Sequence, residues 1–230
     1  MIGESKLKIL REHRWDLTEA EAIQLQRELA AKVIRQDAFP QPIRYIAGVD
    51  VAYSEQNDRL IAAVVILEAD TLKPVESAVV EDTVHFPYVP GLFSFRELPP
   101  IIKAFERIVT PPQLVVCDGQ GLAHPRRFGL ACHLGVLYDL PAIGCGKTRL
   151  CGDYTEPELH RGSFSPLTDG REVIGHVLRT QRNIKPIFVS VGHRISLSTA
   201  CEWILKLAPK YRLPETTRLA DQLVKKTMAE

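Results

Sequence analysis

No stretch of this sequence approaches the roughly 20 consecutive apolar residues that a membrane-spanning helix requires. The opening residues, MIGESKLKILREHRW, contain no apolar core of the kind a secretory signal needs, so the expectation is an unexported, cytoplasmic protein with no membrane partner. No Cys-x-x-Cys spacing occurs. The five cysteines (Cys117, Cys132, Cys145, Cys151 and Cys201) are odd in number and sit mostly in apolar runs. That argues against a disulfide framework or a structural zinc site and for buried thiols. Net charge is almost absent: 29 basic against 28 acidic residues leave +1. Bulk charge therefore neither points to a nucleic-acid partner nor excludes one, and local clustering has to decide. Repeats, low-complexity tracts and a clear linker are also missing, so the 230 residues read as a single domain.

What is present is a regular alternation of elements. Thr18 and Glu21 have capping-box spacing, with Leu17 before them as a staple, at the head of an N-terminal helix expected over 17–36. Ile23, Leu25, Leu29, Ala30, Val33 and Ile34 form its apolar stripe, and Pro40 and Pro42 end it. A core over 43–208 follows. Three strands joined by short gaps, at IRYIAGVDVAYS, RLIAAVVILEAD and PVESAVVEDTV, imply antiparallel hairpins. PYVPGLFSFRELPP reads as a loop and IIKAFERIV as a helix. QLVVCD is a fourth strand, HPRRFGLACHLGVLYD includes a helix, and PAIGCG is a fifth strand. Residues 151–170 read as looser chain, REVIGHVLRT is ambiguous, KPIFVSVG is a strand and STACEWILKLAPK a helix. A last helix, PETTRLADQLVKKTMAE, lies in the segment 209–230. This order gives an α/β fold, a mixed sheet flanked by helices, in which the strand after the crossover helix runs parallel to an earlier one.

Three carboxylates are oddly placed. Asp50 lies mid-strand between Val49 and Val51, a costly place to bury a charge. Asp118 ends the fourth strand, ahead of Gly119-Gln120-Gly121. If the two strands are neighbours, these carboxylates face one surface. Glu97 falls at or just before a helix start, where the helix dipole alone would favour an acid. Asp118 alone could be an Asx-turn residue. Taken together, three close carboxylates repel unless a cation lies between them, and an all-oxygen site suits Mg²⁺ or Mn²⁺.

The cationic side is equally local. Lys147, in PAIGCGKTRL, could point to the same face as Asp118 and meet a phosphate, or be a surface lysine. Its Gly-Lys-Thr ending resembles a P-loop, but Pro141 stands where the first glycine belongs and no long helix pattern follows. His124 sits in a glycine-rich turn beside Arg126 and Arg127, a place for a group that orients water or meets a phosphate, or for a structural histidine. His193, before Arg194 and Ser196, is either a phosphate contact or a helix-entry residue. In PYVPG, Tyr88 and Pro90 make either a rigid turn with the ring packed inward or a stiff wedge for a gap in a base stack.

YIAGVDVAY, PYVPGLFSFRE, DGQGLAHPRRFGLACHLG, PAIGCGKTRL, VGHRIS and YRLPETTR occur in this order over residues 45–218. In combination they closely resemble the endonuclease V family, deoxyinosine-directed nucleases with an RNase H-like core. The resemblance implies an RNase H-like sheet with an added N-terminal helix, and metal binding by Asp50, Glu97 and Asp118. It places His124 and Lys147 near the active site and makes Tyr88 the wedge tyrosine. Gly91, Phe93, Gly119, Gly121 and Gly129 fall in segments used around a flipped base. Arg126, Arg127, Arg149, Arg194, Arg212 and Arg218 are candidate contacts to the nucleic-acid backbone. Gln120 stands where many relatives have His, which excludes acid–base chemistry at that position near neutral pH. The implied reaction is Mg²⁺-dependent hydrolysis of the second phosphodiester 3′ to deoxyinosine, leaving a 3′-hydroxyl and a 5′-phosphate. Competing readings are a same-fold nuclease acting on inosine in RNA or on branched DNA, a non-catalytic nucleic-acid-binding protein, and a P-loop NTPase.

Overall fold

The computed structural model describes residues 7–39 and 41–230, so Pro40 and the first six residues of the opening stretch lie outside the described chain. Eight strands form one sheet in the order β3-β2-β1-β4-β5-β8-β7-β6. β1 (Tyr45–Tyr53), β2 (Arg59–Glu68) and β3 (Pro74–Thr83) are the expected antiparallel meander. Helix α2 (Phe93–Phe105) then crosses over, and β4 (Leu114–Cys117) returns parallel to β1. Helix α3 (Leu130–Tyr138) makes a second crossover to β5 (Ala142–Gly146), parallel to β4. The three central strands β1, β4 and β5 therefore point their carboxyl ends the same way, the usual location of a ligand site in an α/β sheet.

β2 shows why the sheet is covered on both sides. Its alternation sends Ala62, Val64 and Ile66 into a core shared with α2 and α3, and Ile61, Ala63, Val65 and Leu67 toward α5 (Glu215–Ala229). A continuous apolar run rather than an alternating one is what such a two-faced strand needs. Helix α4 (Leu197–Leu207) packs on the α5 face, against β8 (Ile187–His193).

Four expectations change. Helix α1 is shorter than expected, Glu19–Ala30, although its capping box forms as read. It buries Ala22 and Gln26 most deeply rather than the whole apolar stripe. Helix α2 starts at Phe93, so Glu97 lies in its second turn and FSFRELPP is helix, not loop. Pro99 and Pro100 lie inside it; the buried apolar face of α2 outweighs the two lost backbone donors. The looser stretch contains β6 (Phe164–Asp169), and the ambiguous one is β7 (Glu172–Leu178), joined as a hairpin through Gly170 and Arg171. Pro166 is tolerated because β6 is the sheet's edge. Among the described residues no helix is long and apolar enough to cross a membrane.

Candidate active site

Asp50 is the sixth residue of β1, on the face that carries Gly48 and Ala52, and Asp118 follows β4 directly. Val49 pairs with Cys117 in the parallel ladder, so the two aspartates are level with each other. Burial pushes the Asp50 carboxyl up to about 7, and the neighbouring Asp118 charge adds to it. Glu97 reaches the same cavity from α2 and is 4% exposed. Burial and then the Asp50 charge hold its carboxyl well above the ordinary range, while the Tyr53 hydroxyl donates to Glu97 Oε1 at 3.2 Å. Three acids are thus held together against their mutual repulsion.

One ammonium offsets part of that charge. Lys147 follows β5 and pairs with Asp118, and it stands 3.8 Å from Asp221. Burial opposes its charge, but Asp118, Asp50 and Asp221 outweigh burial and hold its pKa above the ordinary lysine value. No helix follows Lys147, and the next element is β6, so its Gly-Lys-Thr does not open a P-loop helix. Asp221, on α5, went unread in the sequence. It lies at an ordinary helical position in RLADQLV, and only the packing of α5 on β1 brings it here.

Among the described residues no group of three or more His, Cys, Asp or Glu side chains is placed to hold a metal ion. The expected three-carboxylate cluster is therefore more open than the sequence suggested, with Lys147 on Asp118 and Tyr53 on Glu97. The donor set still fits a hard divalent cation. Asp50 and Asp118 offer oxygen only and lack full compensation, and Mg²⁺ is commonly held by one or two carboxylates with water completing its shell.

The same cavity, about 610 Å³, is also lined by Gly91, Phe93, Gly119, Phe128, Gly129 and Leu130. Its shape depends on one carbonyl. Gly91 O accepts from Gln26 Nε2 at 2.9 Å, Arg126 Nη2 at 2.7 Å and His124 Nε2 at 3.0 Å. Gly91 has φ +80°, which favours glycine, and a side chain there would also push the Arg126 guanidinium off Gly91 O. Gln26 completes the clamp by donating to Phe128 O at 3.0 Å and accepting from Arg126 Nε at 2.5 Å. Tyr88 stands at the cavity's rim, 71% exposed, so the packed-inward reading of PYVPG does not hold. Pro90 also lines the cavity.

Several expected contacts are engaged within the protein instead, although His124 itself lines the cavity. His124 accepts from Arg126 N–H at Nδ1 and donates from Nε2 to Gly91 O, so neither nitrogen is left for water or phosphate. Burial and the Arg126 charge lower its pKa to about 4. Gly121 is outside the cavity wall; a side chain there would strike Val191 O at 2.1 Å, so it serves the packing of the turn on β8. Arg127 is paired with Glu172 and Asp169, and Arg126 with Gln26 and Gly91, both off the cavity wall. Arg194 binds Asp139 and Ala38 O. Arg212 donates to three backbone carbonyls, and Arg218 binds Glu215. Arg149 does line the cavity and is half exposed. His193 spends Nδ1 on Ile34 N–H and Nε2 on Asp139, a structural role. Gln120 donates from Nε2 to Thr148 O at 3.0 Å, and the missing side chain of Gly146 makes room for it.

Known proteins resemble this chain in sequence and fold. The Endonuclease V family model matches residues 27–222. The Endonuclease V of Trichormus variabilis is 48% identical over 217 residues, covering 94% of this chain and 98% of its own. The crystal structure of Endonuclease V from Streptomyces avermitilis is 48% identical, with a TM-score of 0.89 over 98% of each chain. An Endonuclease V from Ciona intestinalis, in complex with a 24mer DNA containing an inosine followed by a ribo-adenosine, is 28% identical. Its TM-score is 0.79, over 91% of this chain and 97% of that one. With a family match across most of its length and an RNase H-like sheet that superposes on these structures, the chain belongs to the Endonuclease V family of nucleases.

Proposed function

We propose that this chain is a DNA-repair endonuclease that recognises deoxyinosine and hydrolyses the second phosphodiester on its 3′ side, with Mg²⁺ as cofactor and Mn²⁺ as a substitute. The products are a 3′-hydroxyl and a 5′-phosphate. The observation that carries the reading is that the three acids and a set of glycines line one cavity of about 610 Å³, within the range of small-ligand pockets, roughly 300–1,000 Å³. The Ciona relative's inosine-containing DNA supports the same reading.

Asp50 and Asp118 would hold the ion at the carboxyl ends of β1 and β4. Bound there, the ion supplies polarisation of the phosphate and charge stabilisation of the leaving 3′-oxygen. Lys147 adds a second positive charge beside the phosphate as negative charge develops. Glu97 keeps its place through the Tyr53 hydroxyl. Tyr88 supports strand separation from the rim, where an exposed ring on a proline-stiffened loop can enter a base stack at low entropic cost. Flipping the base costs a few kcal/mol, less at a mismatch. A cut displaced from the lesion separates the reading of the base from the chemistry.

A second substrate has one specific observation in its favour. The Ciona relative was crystallised on an inosine followed by a ribonucleotide, so inosine-containing RNA is the alternative target. Cleavage of an end-labelled duplex carrying one deoxyinosine, with Mg²⁺ present, tests the main reading. A cut mapping to the second 3′ linkage supports it, and no cut, or a cut independent of inosine, refutes it.

A further inference from the structure

The floor of the cavity includes Ser94, 2% exposed, whose hydroxyl has one recorded partner among the described residues, the buried His133. The direction of that hydrogen bond follows from a chain that starts near the surface. His13 Nδ1 lies 2.7 Å from Arg14 O. A carbonyl can only accept, so His13 Nδ1 carries the proton. Burial lowers the pKa of His13, and burial with the His13 neighbour lowers that of His133 further, so both rings are neutral. His13 Nε2 is then a bare acceptor. It lies 2.8 Å from His133 Nε2, which must therefore carry the second ring's proton. His133 Nδ1 is left as an acceptor, and Ser94 Oγ at 2.9 Å must donate to it. A serine hydroxyl has one proton and two lone pairs. With its proton committed to His133, Ser94 can offer the cavity only lone pairs.

The rings that carry this chain are fixed by packing. His133 stacks with His13 and Trp15 at centroid distances of 5.0 and 5.5 Å and touches Phe95 and Phe128 at 5.0 and 5.2 Å. Phe128 itself lines the cavity. The polarity of Ser94 is thus set by a rigid aromatic cluster between α1's approach, α2 and α3.

We propose that Ser94 is a specificity-determining residue, an acceptor-only hydroxyl that reads the N1–H of a deaminated purine. This rests on the deoxyinosine reading above. Deamination of adenine changes two atoms of the base edge: the 6-amino group becomes an oxygen, and N1 changes from a lone pair to an N–H. An acceptor-only hydroxyl pairs with hypoxanthine N1–H and meets the N1 lone pair of adenine with lone pairs of its own. Guanine has the same N1–H, so its exclusion falls to the room around C2 and not to Ser94. His133 and His13 are positioning residues that hold the proton away from the base.

The test compares duplexes carrying deoxyinosine or deoxynebularine at the same site. Nebularine keeps the purine shape and, like adenine, has a bare N1. Ser94→Ala should lower kcat/KM and duplex affinity for deoxyinosine about five- to tenfold, the worth of one neutral hydrogen bond. Affinity for the nebularine duplex should stay within about twofold, since no such bond exists there to lose. Equal losses on both duplexes, or no loss on deoxyinosine, would overturn the proposal. An independent readout is the ¹⁵N spectrum of the wild-type histidines. The proposal requires His133 to be the Nε2–H tautomer, and an Nδ1–H tautomer would overturn it even if the variant fails to fold. A wild-type protein that cuts neither duplex would refute the deoxyinosine reading instead, a result distinct from unequal or equal losses in the variant.

Discussion

Gln26 illustrates how much a single side chain can carry outside any motif. It is 1% exposed and joins α1 to the carbonyls of Gly91 and Phe128 and to the Arg126 guanidinium. Gln26→Ala leaves the Arg126 donor without its acceptor and removes two donors from carbonyls that shape the cavity. The cost should be about 2 kcal/mol, seen as a melting midpoint about 4–8 °C lower. Affinity for a lesion-bearing duplex should fall while the Mg²⁺ concentration for half-maximal cutting stays put. Asp50 and Asp118 were legible in the sequence because each is a carboxylate within or at the end of an apolar strand, which burial alone would not favour, whereas Glu97 and Lys147 stood out only through the family resemblance. Gln26, Ser94 and Asp221 were not legible. Each sits in a helix at a position where its type is unremarkable, and only the packing of that helix aims it at the cavity. The arginine neighbours of His124 fit either a phosphate-facing or a structural histidine. The structure keeps it on the cavity lining but spends both ring nitrogens inside the protein, since a neutral histidine can satisfy a carbonyl and an N–H at once.

At the scale of elements, the placement of α5 matters most. It packs on β1 at Gly48, where a Cβ would lie 2.2 Å from Thr216 O. Gly48→Ala should push α5 outward at a cost of about 1–3 kcal/mol. It should also weaken cutting more than duplex binding, because Asp221 and Lys225 move with the helix; kcat and Kd measured together check this. A second lock sits at the end of α3. Asp139, the helix C-cap at φ 51°, holds His193 Nε2 at 3.0 Å and Arg194 Nη1. Burial raises its carboxyl pKa, but the His193 bond and the Arg194 charge outweigh burial and leave it below the ordinary value. Its stabilising effect is therefore full above the unfolded pKa, about 3.9, and is lost as pH falls through the lower folded value. Asparagine tolerates the same left-handed backbone, so Asp139→Asn isolates the charge. The variant should be about 1–2 kcal/mol less stable at pH 7, and denaturation midpoints should show the gap closing below about pH 4. The meander, the crossovers and α4 were visible in the sequence through their periodicities. The β6–β7 hairpin was not, because Pro166 and Gly175 argue against strands. The first is tolerated at an edge, and the second is needed where a Cβ would meet Val189 O at 2.6 Å. The Asp169-Gly170 pair was the signal that could have found it.

Over the whole molecule, charge is balanced and most arginines that the sequence offered as nucleic-acid contacts are engaged within the protein. Lys147, Arg149 and Lys225 line the cavity, each paired with an aspartate (Asp118, Asp153 and Asp221) that a phosphate would have to displace or share. Duplex affinity should therefore depend only moderately on salt, with a slope of log K against log salt near −3, as for about three phosphates; titrations between low and moderate salt measure it. The architecture explains why a few cations suffice. Parallel β1, β4 and β5 bring Asp50, Asp118 and Lys147 to one edge, α2 brings Glu97 from one face, and α5 brings Asp221 from the other. The cavity they line also takes in Gly91, Gly119 and Gly129.

The most direct measurement is the mapped cleavage of two otherwise identical end-labelled duplexes, one with a single deoxyinosine and one with deoxyadenosine in its place, by wild type and Asp50→Ala in Mg²⁺. The wild type should cut only the deoxyinosine duplex, at the second 3′ linkage, and Asp50→Ala should cut it at least about a hundredfold more slowly while still binding it. Cutting by Asp50→Ala at the wild-type rate, or equal cutting of both duplexes by the wild type, would contradict the account.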